Sequence, residues 1–388
     1  MKAMEKKVIK KSDWTSNFNL VGKPVINDYT FKINEESEKS NWVYNALNLG
    51  VDCGEKHGTV YAEMMGGYSK ENENRIYAHG KKDDNSDNFE EQIIVAWEDR
   101  FNDDVLEDIG DLSFITIGLE KTNDGKTYYK KFLSAYDAID YVKKHLTDDM
   151  VVNVRGNLKY SMYNETVQVR KNITSIALSK AEPSSYKATF TQSVLLDKDS
   201  ASLKDIDKDK GVMFVNTRVL DYVKEVNGVE VKGQYPYKKQ FEFAMDFSNE
   251  TQCKKIYEKL FKVKKGVSQV SFEGDFIEGG AVVTTTIDDL PDEIRDLVEM
   301  GVYTEKEACA KCTANGNRER RMVLKKPQIK LVGEEKTPVI QVFHERYTED
   351  DLYLDYLYNN NNSSDDEPPF DTEEESDETS DLDWLSKL

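Results

Sequence analysis

Short runs of β-branched and aromatic residues, cut at close intervals by Gly, Asn and Asp, recur through most of the chain. They leave room for little but a β-rich fold. Residues 59–64, 75–78, 92–97 and 113–117 all have this character. The pattern is clearest between 151 and 246. Met213, Val215, Thr217 and Val219 fall on one side of an extended run, and Phe214, Asn216 and Arg218 on the other. Ala188 and Phe190 share a face with Tyr186, residues 167–170 alternate, and Asn227-Gly228 is a type I′ hairpin signal. Helical spacing interrupts the strands. Phe132, Tyr136, Ile139, Val142 and Leu146 recur every three or four residues, and a second helix is expected over 250–262. Pro291 and Gly301 bracket a third, and Thr304 with Glu307 makes a capping box for a fourth.

Charge divides the chain. The formal net charge is −20, of which residues 349–388 hold −14, residues 1–150 about −9 and residues 151–348 about +3. An acidic mean therefore does not exclude a polyanionic partner for the middle of the chain. Residues 365–383 are too acidic and too poor in apolar side chains to offset their ordering entropy, which predicts a disordered tail behind the spacer 359–364. No apolar run is long enough for a membrane helix. The basic start, residues 1–7, has no apolar stretch behind it, as a secretory signal would. Cysteines at 53, 253, 309 and 312 are too few for a disulfide scaffold. A cytoplasmic protein without a membrane partner is expected.

Catalytic signals are poor. Residues 54–58, Gly-Glu-Lys-His-Gly, lack the Walker spacing and the hydroxyl after Lys56. His57, His79, His145 and His344 are not spaced for a metal, and Cys309-x-x-Cys312 has no second pair nearby. No enzyme, cofactor or metal is expected. Sequence-tolerant binding of a single strand needs something else: cations for phosphates and exposed rings for bases. Candidates are Arg155, Lys159, Tyr160, Tyr163, Arg170, Lys171, Lys187, Phe214, Arg218, Tyr235, Tyr237, Lys238 and Lys239. Alternation alone does not say which of these rings are core.

Residues 152–161 (Val-Asn-Val-Arg-Gly-Asn-Leu-Lys-Tyr-Ser), followed by 167–173 (Val-Gln-Val-Arg-Lys-Asn-Ile), resemble the first two strands of an OB-fold. Residues 270–277 are similar to the same opening. Residues 365–370 (Asp-Asp-Glu-Pro-Pro-Phe) resemble the acidic tip of bacterial single-stranded DNA-binding proteins, although 18 residues follow Phe370 here. The organisation resembles bacteriophage single-stranded DNA-binding proteins. The resemblance implies an all-β fold with small helices, two or three OB-like barrels in tandem, and a disordered acidic tail. The expected divisions are an extension at 1–41, a β-rich domain at 42–149, a central OB-fold domain at 150–262, an OB-like domain at 263–348 and the tail at 349–388. It further implies single-stranded DNA as partner in viral replication or recombination. Replication proteins would dock on Asp365, Asp366, Glu367, Pro368, Pro369 and Phe370, with Trp384 and Leu385 as further anchors. The alternatives are a virion or assembly β-protein, or an accessory subunit of a polymerase or nuclease that binds no DNA.

Overall fold

The computed structural model describes residues 9–354 except 39, 164, 165, 227, 228, 280–286, 288, 289, 301, 306, 307, 309–318, 334 and 345. The Asn227-Gly228 turn, the Cys309/Cys312 pair, Glu307 and the tail anchors lie outside the described residues.

The chain opens with β1 (Ser16–Val25), β2 (Phe31–Glu36), β3 (Trp42–Asp52) and β4 (Thr59–Ser69). An insert follows, with the hairpin β5 (Arg75–Lys81) and β6 (Asp87–Ala96) and the short helix α1 (Asp103–Leu106). Then come β7 (Ile115–Lys121), β8 (Thr127–Phe132) and α2 (Ala135–His145). The Ser134 hydroxyl accepts from the Tyr136 N–H to start α2, whose Ile139 and Val142 are buried as their spacing predicts. β9 (Val152–Tyr163) and β10 (Thr166–Leu178) complete the first half.

These strands close a ring. β1 pairs with β3, β3 with β4, β4 with β10, β10 with β9, and β9 with β1. Only the β4–β10 closure is parallel. The product is a five-stranded, OB-like barrel with a helix between its third and fourth strands. Gly156 permits the closure, because a Cβ there would lie 1.9 Å from the Asn172 carbonyl oxygen. Two expectations change. Residues 16–25 are not an extension but the barrel's first strand, with Phe18 and Leu20 in the core. The run that resembles an OB opening supplies the barrel's last two strands, β9 and β10. An alternating strand with a glycine looks the same at either place, and only long-range pairing tells them apart.

The second half runs through β11 (Lys187–Leu196), β12 (Ala201–Asp207), β13 (Val212–Val226), β14 (Val229–Ala244), α3 (Glu250–Leu260), β15 (Ser268–Gly279), α4 (Asp292–Glu299) and β16 (Glu319–Pro327). β11 pairs with β13, β13 with β14, β14 with β16 in parallel, β16 with β15, and β15 with β11. Met213, Val215, Thr217 and Val219 are buried, as the alternation predicts. The chain continues as β17 (Ile329–Val332), β18 (Thr337–Ile340), β19 (Val342–His344) and α5 (Glu349–Leu352).

The halves share one sheet. β1 pairs with β9 along one edge and with β11 along the other, placing Phe18 opposite Phe190. Buried apolar residues of both halves form one contiguous cluster. Polar locks reinforce the junction. Lys171 Nζ lies 2.6 Å from Glu278 Oε1, and Lys56 Nζ 2.6 Å from Asp275 Oδ2, which Lys325 also bonds. The Glu278 N–H donates to the His57 carbonyl. Asp221 of β13 accepts the Tyr160 N–H of β9 at 2.7 Å. A second apolar cluster seats both ends of the described chain: Ile9, Tyr347, Leu352 and Leu354 pack with Leu195, Leu220, Val231 and Val267.

The insert builds a small core from Ala78, Val95, Ile109 and Phe114, which Leu133 after β8 completes. Residues 70–114 carry 14 acidic and 5 basic side chains, so the whole −9 of residues 1–150 resides there. The barrel strands of the first half are therefore not electronegative on balance.

Candidate nucleic-acid interface

Directly paired residues on neighbouring strands share a face. On the core side of β11, β1 and β9 lie Ala188, Phe190, Phe18, Leu20, Val154 and Leu158, all buried. The opposite face is largely polar, with Val21 the buried apolar exception, and the register arranges it in rows. One row crosses Lys187, Val21, Asn153, Ala177 and Gly118. The next crosses Asp275, Thr189, Asn19, Arg155, Ser175, Thr116 and Lys131. A third crosses Glu273, Thr191, Asn17, Asn157 and Asn172 to Glu63. Amides, hydroxyls and cations dominate, and the acids are matched. Lys56 and Lys325 hold Asp275, Lys326 lies 3.1 Å from Glu273, and Arg170 lies 3.8 Å from Glu63. Burial pushes the Asp275 carboxyl up, but the hydrogen bonds from Lys325 and Lys56 win and leave it below its ordinary range. Arg155 and Lys187 are exposed and have no ion-pair partner among the described residues. They are the groups best placed for phosphates.

Several sequence candidates meet on this face. Arg155, Lys159 and Tyr163 alternate along its side of β9, Lys159 pairs with Arg170, and Lys187 stands on β11. The Tyr163 ring is 54% exposed. Lys159 also lies 3.8 Å from Asp221. Other candidates do not reach solvent. Tyr160, 4% exposed, is core, and its hydroxyl bonds Gln192 at 2.9 Å. Tyr237, 2% exposed, packs edge-on against Tyr235, and burial with Asp221 nearby pushes its hydroxyl up to about 12. Neither ring offers a face to a base. Lys171 is spent in its pair with Glu278 and lies over the Phe276 ring at 4.9 Å.

Phe214, Arg218 and Lys238 form a separate patch on β13 and β14, while Tyr235 lies on the inward side with Tyr237. Phe214 stands half-buried opposite Glu242, which Arg321 holds at 2.7 Å, and Arg218 stands opposite Lys238. Lys239 points the other way, beside buried Thr217, and burial lowers its pKa. Tyr353 covers Arg218, its ring centroid 5.4 Å from the guanidinium. The patch is thus partly occupied by the chain's own C-terminal segment.

Sequence reading missed Lys56 and Lys325, which meet only through the fold, and the asparagines of β1. The alternation Asn17-Phe18-Asn19-Leu20 carries the signal for the latter. It also missed Ser113, His79 and Asp87, joined by bonds of 3.0 and 2.8 Å. That chain has hydrolase-triad composition but staples the insert. The Ser113 hydroxyl also accepts the His79 N–H, and Asp87 the Leu112 N–H. No group of three or more metal-ligating side chains occurs among the described residues, nor any helix long and apolar enough to cross a membrane.

No protein-family model matches the chain, and no curated protein matches it. Among solved structures, a deletion mutant of the single-stranded DNA-binding protein from Thermus aquaticus is similar at 10% identity. The match covers 68% of this chain and 87% of that one with a TM-score of 0.28. At that score the overlap does not establish a shared fold.

Proposed function

We propose that this chain binds single-stranded DNA without sequence preference, and that it is built from two OB-like barrels in tandem, about residues 16–178 and 187–327. The observation that carries the reading is the polar sheet face at the junction. Arg155 and Lys187 stand there unpaired, with Tyr163 exposed on the same strand as Arg155. Phosphates would meet the cations and bases would stack on exposed rings. The same strand pairings around β11, β13, β14, β16 and β15 support the second barrel. Oligo-dT should bind more tightly than a duplex of equal length. Log K should fall with log salt at a slope of about −3 if four phosphates are neutralised. A flat salt response, or preference for duplex, contradicts the reading.

The setting we infer is viral DNA replication or recombination, with the acidic tail docking replication proteins through residues 365–370, Trp384 and Leu385. The described chain ends at Leu354, which clusters with Leu220, and Tyr353 just before it covers Arg218. The acidic residues beyond it would compete with DNA for the same cations at an effective concentration of order millimolar. Ending the chain after Leu354 should therefore raise oligo-dT affinity, most at low salt. Equal affinities at low salt would leave the tail to partner docking alone. The acidic insert, with Tyr77, Phe89, Ile94 and Leu112 exposed, favours protein contacts in addition. It is the one feature that suits the accessory-subunit alternative.

A further inference from the structure

The polar face does not stop at the barrel. β10 pairs in parallel with β7, Ser175 opposite Thr116 and Ala177 opposite Gly118, and β7 pairs with β8. The hairpin β7–β8 thus prolongs the sheet that carries Arg155 and Lys187. At its far side the Tyr129 ring rests on Gly118: a Cβ at that glycine would lie 2.8 Å from both Cδ1 and Cε1 of the ring. Gly118 continues the row from Lys187 through Val21, Asn153 and Ala177, so Tyr129 closes that row on the same face. The ring is 54% exposed although its lower side is supported by backbone. A ring seated on one side and open on the other is a stacking surface with little freedom left to lose on binding.

We propose that Tyr129 is a base-stacking platform at one end of a nucleic-acid track that runs across the strands. The track would start at Lys187 and cross β11, β1, β9, β10 and β7 to β8. It rests on the single-strand-binding reading and gives that site a direction and a length. Five strand-to-strand steps span about 24 Å, or at most about seven nucleotides at the duplex spacing of about 3.4 Å. Gly118 is the positioning residue, since any side chain there displaces the ring.

The test uses the full chain and a twelve-nucleotide oligo-dT carrying a photoreactive thymine at either end or in the middle. Crosslinking followed by peptide mapping should label Tyr129. Tyr129→Ala should weaken binding by roughly 5- to 150-fold, the range for one stacked base. Gly118→Ala should reproduce most of that loss while Tyr129→Phe retains affinity. Arg155→Ala is the internal control. If wild type fails to bind oligo-dT, the functional reading falls. If wild type binds and Arg155→Ala weakens it, but Tyr129→Ala leaves affinity unchanged and no label reaches Tyr129, the track ends at β10 and the proposal is overturned.

Discussion

Lys171→Ala should destabilise the protein by about 3–5 kcal/mol, the cost of leaving a buried charge without its partner. The Lys171 and Glu278 side chains are 12% and 6% exposed, and they tie β10 to β15 across the junction. Glu278 loses its counter-charge in the variant, while the Glu278 N–H keeps its bond to His57. Denaturant unfolding at neutral pH measures the loss. The double variant Lys171→Met with Glu278→Leu should recover most of it, because an apolar pair of similar volume removes both desolvation costs. A single-variant loss below about 1 kcal/mol would mean that water reaches the pair and the junction is held by the β1–β11 ladder and the shared core alone.

Tyr237→Ala should cost about 3–5 kcal/mol of stability, the range for deleting a large buried ring. Tyr237 packs against Tyr235 and the main core. Oligo-dT affinity of the folded fraction should stay at the wild-type value. Tyr163→Ala should do the reverse, leaving the melting temperature in place and weakening binding by about 1–3 kcal/mol. Melts and binding curves on both variants separate core from platform. Lost affinity in a fully stable Tyr237→Ala protein would contradict the burial.

This contrast marks where local sequence stops being informative. Alternation correctly divides Met213, Val215, Thr217 and Val219 from Phe214 and Asn216, since a strand's two faces are written in its period of two. It cannot say which face meets a second layer. Tyr160 ends the inward series Val154, Gly156 and Leu158 on β9, yet its hydroxyl makes it look like a surface ring; Gln192, 32 residues away, satisfies that group inside. The helices over 135–145 and 250–260 were legible from apolar spacing, and in the structure the caps Ser134 and Asn249 fix where they start. The order of strands in the barrel was not. β1 pairs with β9 residues 130 to 140 positions later, and no local pattern records such a pairing. The site was half legible for the same reason. Arg155, Lys159 and Tyr163 alternate on one strand, whereas their company with Lys187 exists only through β1.

Charge placement follows a similar logic. The acids of residues 1–150 weigh on the insert and spare the barrel strands, so a net charge of −20 coexists with a face on which Asp275, Glu273 and Glu63 are each ion-paired. A polyanion approaching that face meets Arg155 and Lys187 first.

The most direct test of that claim is the salt dependence of oligo-dT binding by the full chain and by Arg155→Ala/Lys187→Ala. Both side chains are exposed and unpaired, so the double variant should fold as stably as wild type. Its affinity should fall, and the slope of log K against log salt should flatten by about 1.4, since each lost phosphate contact removes about 0.7. An unchanged slope and affinity in a well-folded double variant would place the binding surface elsewhere and contradict the account.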